Sequence, residues 1–200
     1  MKYKNSLVLL LALMLIVGCK QNKQEESQEP EVIQEVVEVK IKGEEVIYAT
    51  DSTSMKGYIA YNENQKGKRP GVIVIHEWWG HNDYVRERAD QLAELGYTAI
   101  AIDMYGDGKQ AEHPEDAGKF SMSVMTNLPA AEARFNAALE LLKQQESVDP
   151  DKIAAIGYCF GGSVALTMAN SGADLDAVAA FHSGVQLPVM PGDKLKAQVM

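Results

Sequence analysis

Cysteine is scarce, with two in 200 residues, Cys19 and Cys159. That excludes a disulfide-dense scaffold. Positive charge is scarce too: 19 Lys and Arg stand against 28 Asp and Glu, for a net charge of −9. A nucleic-acid partner is therefore not expected, because it would need a basic footprint. Histidine is limited to His76, His81, His113 and His182. His76-Glu77 and His81 lack the helical H-E-x-x-H spacing, so no metal centre is expected. A bilayer-spanning helix needs about 20 apolar residues, and the run Leu7–Val17 holds eleven. What is present is 46% hydrophobic and 24% charged residues. This ordinary globular mixture excludes a collagen-like or wholly disordered chain. The length fits one domain.

The run Leu7–Val17 follows Lys2 and Lys4 and is closed by Gly18 and Cys19. A basic start, a short apolar core and a small residue before the cut make a secretory signal. The segment Ile16-Val17-Gly18-Cys19 resembles a bacterial lipobox, in which the cysteine is lipidated and becomes the new N-terminus. We therefore expect a signal peptide over 1–18 and lipidation at Cys19. The alternative is a plain signal peptide with an incidental cysteine. Residues 19–35 are mostly Gln, Glu, Lys, Asn and Ser, which cannot bury a core and read as a flexible tether. The Glu-rich stretch 25–45 is most simply a solvated tether and edge strand, with binding to a cationic partner as the alternative. The expected location is the bacterial cell envelope, anchored by lipid and facing the periplasm. Lys20, where some inner-membrane lipoproteins carry Asp, points weakly to the outer membrane.

From residue 36 to 200 the pattern alternates strands and helices. Val36–Ile41, Val46–Thr50 and Met55–Tyr61 read as an antiparallel meander, and 62–70 as a loop. Gly71–Ile75 is a continuous apolar run, as expected for a strand covered on both faces. Residues 83–95 place Val85, Ala89, Leu92 and Ala93 on one helix face. A strand is expected over Tyr97–Ile102, a long loop over 103–114, and helices near 115–126 and over 130–145. A strand then covers Lys152–Gly157, a helix Gly161–Ala169 and a strand Ala177–Phe181. A loop follows over 185–196, and a further strand begins at Ala197. The implied fold class is α/β, with a mainly parallel sheet covered on both sides.

The chemistry centres on Gly157-Tyr158-Cys159-Phe160-Gly161-Gly162, between a predicted strand and a predicted helix. G-x-nucleophile-x-G at such a junction is a nucleophile elbow. The nucleophile sits on a sharp turn, and side chains two positions away on either side would strike the crossing strand and helix. The helix N-terminus favours a thiolate and offers backbone N–H groups to an oxyanion. The competing readings are a glycine-rich structural turn and a buried, inert cysteine.

With His76-Glu77-Trp78-Trp79-Gly80 and Asp103-Met104-Tyr105-Gly106, this elbow resembles the dienelactone hydrolase family of α/β-hydrolases. The resemblance covers about residues 36–200. It implies a three-layer α/β sandwich that hydrolyses small-molecule esters or lactones through a Cys–His–Asp triad, without cofactor or metal. Cys159 matches the nucleophile. Trp78 and Phe160 match the positions whose backbone N–H groups form the oxyanion hole. Glu77 matches a glutamate that accompanies the resting thiol and takes its proton when substrate arrives. His76, Trp79, Tyr105 and His182 are expected to line the pocket. For His76 the bottom-up reading favours a structural or pocket-lining role over catalysis. Of the adjacent Trp78 and Trp79, one is expected at the pocket mouth and the other packed, or both packed. His81 and His113 are expected to be solvated. Arg134 is the only arginine available to match one that the family prototype carries after the Asp103 strand.

One departure from the family is larger. The chain order in this fold is nucleophile, acid, histidine, but after Cys159 come only Asp174, Asp176, Asp193 and His182. His182 resembles a site-lining position, and Asp103 a loop cap. We therefore expect a chain truncated at its C-terminal end, lacking roughly 50–70 residues that carry the triad Asp and His. The alternatives are a catalytically inactive domain serving as a surface binding lipoprotein and, last, a redox thiol without a resolving partner.

Overall fold

The computed structural model describes residues 38–50, 52–184 and 186–200. The expected signal peptide over 1–18, Cys19 and the expected tether over 19–35 lie outside them. The described residues belong to one compact unit, Val36–Met200. None of their helices is long and apolar enough to cross a membrane.

A hairpin comes first, β1 (Ile41–Ala49) and β2 (Ser54–Asn62), then β3 (Arg69–Ile75), α1 (Asp83–Glu94) and β4 (Thr98–Ile102). Two helices follow, α2 (Pro114–Thr126) and α3 (Leu128–Lys143). The chain continues through β5 (Val148–Tyr158), α4 (Phe160–Ser171), β6 (Ala177–Phe181) and β7 (Gln198–Val199). The sheet order is β1-β2-β4-β3-β5-β6-β7. Pairing is antiparallel for β1–β2 and β2–β4 and parallel from β4 through β7. This is the mainly parallel α/β sheet the pattern implied.

Alternation along the central strands divides the core. Ile73, Ile75, Ile100 and Ile102 pack with Phe135, Leu139 and Met168 of α3 and α4. Val72, Val74, Ala99 and Ala101 pack with Val85, Ala89 and Ala93 of α1. The reversal of helix side follows from handedness. The β3-to-β4 crossover runs one way across the sheet and β5-to-β6 the other, so right-handed connections put α1 and α4 on opposite faces.

Three elements differ from expectation. The three β-prone segments before residue 62 form one hairpin, and Glu38–Lys40 are not strand. Gly43-Glu44-Glu45, which lies between two of those segments, is part of β1, an edge strand whose side chains mostly face water. Strand β3 begins at Arg69 and β5 at Val148, both earlier than the apolar pattern showed. The register shifts between Pro70 and Gly71, opposite Asp149 and Ile153, so the polar stretch 150–152 bulges out.

Candidate active site

The ends of β3, β4 and β5 converge on the elbow. Cys159 sits between β5 and α4 with φ 54° and ψ −116°, a backbone that a non-glycine residue adopts only when its surroundings enforce it. Those surroundings are specific. The Cys159 N–H donates to the Phe181 carbonyl at 2.9 Å, and the Cys159 carbonyl accepts from Ser163 N at 3.2 Å. The Ser163 hydroxyl accepts from Gly184 N at 2.9 Å, tying β6's exit to α4. A Cβ on Gly157 would lie 2.2 Å from the Gly161 carbonyl carbon, and one on Gly161 2.3 Å from the Ile75 carbonyl oxygen. The two glycines are there because the strand and helix cross at contact distance.

The thiol opens onto a cleft of about 570 Å³. Trp78 and Phe160 line it beside Cys159, with Ser121, Met122, Met125 and Thr126 from α2 opposite. Ser163, Gly184, Gln186, Leu187 and Pro188 close the remaining side. Among the described residues, neither the Trp78 nor the Phe160 N–H has a backbone or side-chain acceptor, as expected for Phe160 in the first turn of a helix.

His76 is buried beneath this arrangement, outside the cleft lining. Its Nδ1 lies 2.5 Å from the Glu77 carbonyl oxygen, and its Nε2 accepts from Met104 N at 3.2 Å. One nitrogen must donate and the other accept, so the ring is neutral with its proton on Nδ1. Burial, the largest influence, pushes its pKa down to about 4, which keeps it neutral at ordinary pH. A trans peptide points its C=O and N–H in opposite directions. Holding the Glu77 carbonyl inward therefore turns the Trp78 N–H outward. Tyr105 holds the next peptide, its hydroxyl donating to the Trp78 carbonyl at 2.8 Å. Burial, and then the charges of Cys159 and Asp103, raise the Tyr105 phenol well above its ordinary range, so it remains a donor. His76, Tyr105 and Phe160 pack ring on ring, with centroids 4.7 to 5.7 Å apart.

None of His76, Trp79, Tyr105 and His182 is in the cleft lining; for His76 that leaves the structural reading, and of the two tryptophans it is Trp78 that stands at the cleft. His76 and Tyr105 lie beneath the Glu77–Trp78 segment, His76 accepting from the Met104 N–H and Tyr105 donating to the Trp78 carbonyl. Trp79 packs edge-on against Trp78, 5.2 Å between centroids, leaving Trp78 alone at the cleft. His182 is exposed with φ 55°, where the chain leaves β6. The expectation for His81 is corrected. It is 1% exposed rather than solvated, with Nε2 on the Ala101 carbonyl at 3.2 Å. His113 is exposed at the start of α2.

Glu77 is half-buried, and among the described residues no hydrogen bond joins its carboxylate to the Cys159 thiol. Asp103 is fully buried and accepts from four backbone N–H groups. Tyr105 and Gly106 bond one oxygen at 2.9 and 2.8 Å, and Gly108 and Lys56 the other at 2.8 and 3.3 Å. It caps the loop and faces no histidine by hydrogen bond. Arg134 donates to the Met104 carbonyl at 2.7 Å and stays out of the cleft lining. Among the described residues no cluster of three or more His, Cys, Asp or Glu could hold a metal ion.

Sequence reasoning did not single out the individual α2 residues that line the cleft. A weak helix with an exposed Met122 gave no sign of facing a cavity, although an exposed apolar residue on a surface helix is such a sign.

Comparison with known proteins followed the same lines. A family model described as the dienelactone hydrolase family matches residues 55–200. Protein usf of Aquifex pyrophilus is 33% identical over 162 residues, covering 78% of this chain and 68% of its own. A solved structure named m3DLH superposes with a TM-score of 0.75 at 42% identity, covering 80% of this chain and 67% of that one. The dienelactone hydrolase-like promiscuous phosphotriesterase P91 from metagenomic libraries gives 0.73 at 38%, covering 80% and 66%. The chain thus spans about two thirds of the length of these relatives.

Proposed function

Because the chain belongs to the dienelactone hydrolase family of hydrolases, we propose that it cleaves ester or lactone bonds with Cys159 as the nucleophile. The observation that carries this reading is the strained Cys159 at the head of α4, opening onto a cleft beside two unengaged amides. The Cys159 sulfur attacks the carbonyl carbon, and the carbonyl electrons move onto oxygen. The Trp78 and Phe160 N–H groups stabilise that oxyanion. Collapse expels the alcohol oxygen and leaves an acyl-thioester on Cys159. The thiol proton passes to Glu77, whose side chain must turn toward the sulfur when substrate fills the cleft.

Hydrolysis of the thioester needs a base to activate water. Among the described residues no histidine is placed to serve as that base: His76 and His81 are buried, and His113 and His182 are exposed outside the cleft lining. The 200-residue chain should therefore acylate and stall. Mixed with p-nitrophenyl acetate, it should release close to one equivalent of p-nitrophenol and carry an acetyl group on the Cys159 peptide by mass spectrometry. Cys159→Ala should abolish both. Release without modification, or release that survives Cys159→Ala, would refute the mechanism. An inactive binding domain remains the alternative, and it would show neither burst nor label.

We also propose lipid attachment at Cys19, supported by the segment Ile16-Val17-Gly18-Cys19. In a bacterial host, Cys19→Ser should move the protein from the membrane to the soluble fraction. Unchanged fractionation would count against the anchor.

A further inference from the structure

We propose that the cleft over Cys159 accepts the neutral, apolar acyl portion of an ester or lactone and selects against substrates that place a carboxylate there. This rests on the acyl-transfer reading and adds its substrate class. The first ground is the lining. Trp78, Met122, Met125, Phe160, Leu187 and Pro188 supply apolar surface, and no Lys, Arg or His side chain lines the cleft among the described residues. The cations nearest in the chain are committed elsewhere. Arg134 is held by the Met104 carbonyl, and Lys119 on α2 pairs with Glu115 and Asp116.

The second ground is the bookkeeping of hydroxyl protons. Each of the three lining hydroxyls has one proton, and each donates it to a backbone carbonyl, of its own helix for Ser121 and Thr126 and of the N-cap residue for Ser163. Ser121 donates to Ala117 at 2.7 Å, Thr126 to Met122 at 2.8 Å and Ser163 to Cys159 at 3.5 Å. What they turn toward a ligand is lone pairs, which a carboxylate cannot use. Among the described residues the lining side chains left with free donors are the Gln186 amide, the Trp78 indole N–H and, weakly, the Cys159 thiol. Away from the two amides beside Cys159, a carboxylate would exchange water for a mostly apolar wall and acceptor oxygens, which penalises a buried charge. A hydrocarbon chain meets the opposite situation, because methionines adapt their shape around it.

The test uses thiol alkylation, which needs no acid or base from outside the described residues. The full chain carrying Cys19→Ser leaves Cys159 as its single thiol. Its alkylation rate is measured with N-hexylmaleimide and with 6-maleimidohexanoate, each normalised to the same chain unfolded in urea. Measurements in about 1 M salt screen the chain's overall negative charge. We expect the normalised rate for the hexyl probe to exceed that for the carboxylate probe by about tenfold. Met122 is 62% exposed, so Met122→Lys should fold. Adding a cation at the cleft, it should cut the ratio several-fold. Equal normalised rates in the parent, or a ratio that Met122→Lys leaves unmoved, would overturn the proposal. If the preference is found but p-nitrophenyl acetate leaves no acetyl group on Cys159, the acyl-transfer reading fails and the neutral apolar cleft stands.

Discussion

His76 does its work through the two hydrogen bonds of a neutral ring, and this has a consequence in solution. An unfolded histidine takes up a proton near pH 6.5, while the folded one resists to about 4. Below pH 6.5 the unfolded state binds the additional proton, so stability falls as pH drops through that window and is constant above it. Burial lowers the His81 pKa as well, so it acts in the same direction. Between pH 6.5 and 5 the loss from His76 alone should be on the order of 1 to 2 kcal/mol. Urea midpoints at the two pH values should show it, and His76→Gln should flatten the difference by that amount. A slope unchanged in the variant would remove His76 from the account. At the same scale, Gly161→Ala should lower stability by about 3 kcal/mol, because its Cβ meets backbone oxygens of Ile75 and His76 that cannot move aside. Thermal unfolding measures this directly. The elbow glycines were legible in the sequence because steric need is a local property. The placement of His76 was not, since a ring's hydrogen-bond partners depend on Met104, 28 residues away.

The loop after β4 is organised by one carboxylate. Asp103 gathers N–H groups from Tyr105, Gly106 and Gly108 and reaches across to Lys56 of β2. Its own N–H donates to the Tyr48 hydroxyl at 3.0 Å, so β1 also joins the loop. Asp103→Ala would leave these buried donors without an acceptor, at about 1–3 kcal/mol each. A total loss of at least about 3 kcal/mol is expected by urea unfolding, with Asp103→Asn intermediate because one oxygen is kept. A loss under about 1 kcal/mol would mean that the loop is held by other contacts. Helix α1 was readable from its apolar spacing and from Asn82, whose side chain accepts from Val85 N. Strand β1 was not readable as one piece, because an edge strand exposed to water carries no alternation. Helix α2 was weak in the sequence for a related reason. Its inner face, with Ala117 and Val124 buried, is narrow, and part of its surface serves the cleft rather than the core.

At the scale of the molecule the two faces of the sheet are unequally covered. On the α1 side, Val72, Val74, Ala99 and Ala101 are fully buried under the helix. Farther along the same face Ala154, Ile156, Ala177 and Ala179 are only half-buried, and Phe181 and Val199 are half exposed. With Leu95 at 75% and Met200 at 87% exposure they line an apolar depression of about 550 Å³. A parallel sheet normally has both faces covered, and this is the region where the described residues depart from that rule. The alternation of strands and helices made the sheet legible in sequence. It could not show this unevenness, because coverage depends on where α1 lands relative to β5 and β6. Apolar surface of this extent binds hydrophobic dyes and promotes self-association. The 200-residue chain should therefore enhance the fluorescence of anilinonaphthalene sulfonate while retaining a cooperative unfolding transition. Leu95→Lys combined with Val199→Lys should reduce that enhancement at least about twofold. Both positions are exposed and distant in sequence from the elbow, so Cys159 alkylation should stay unchanged. Dye binding that is absent in the parent, or unaffected by the pair, would show that this face is covered in solution.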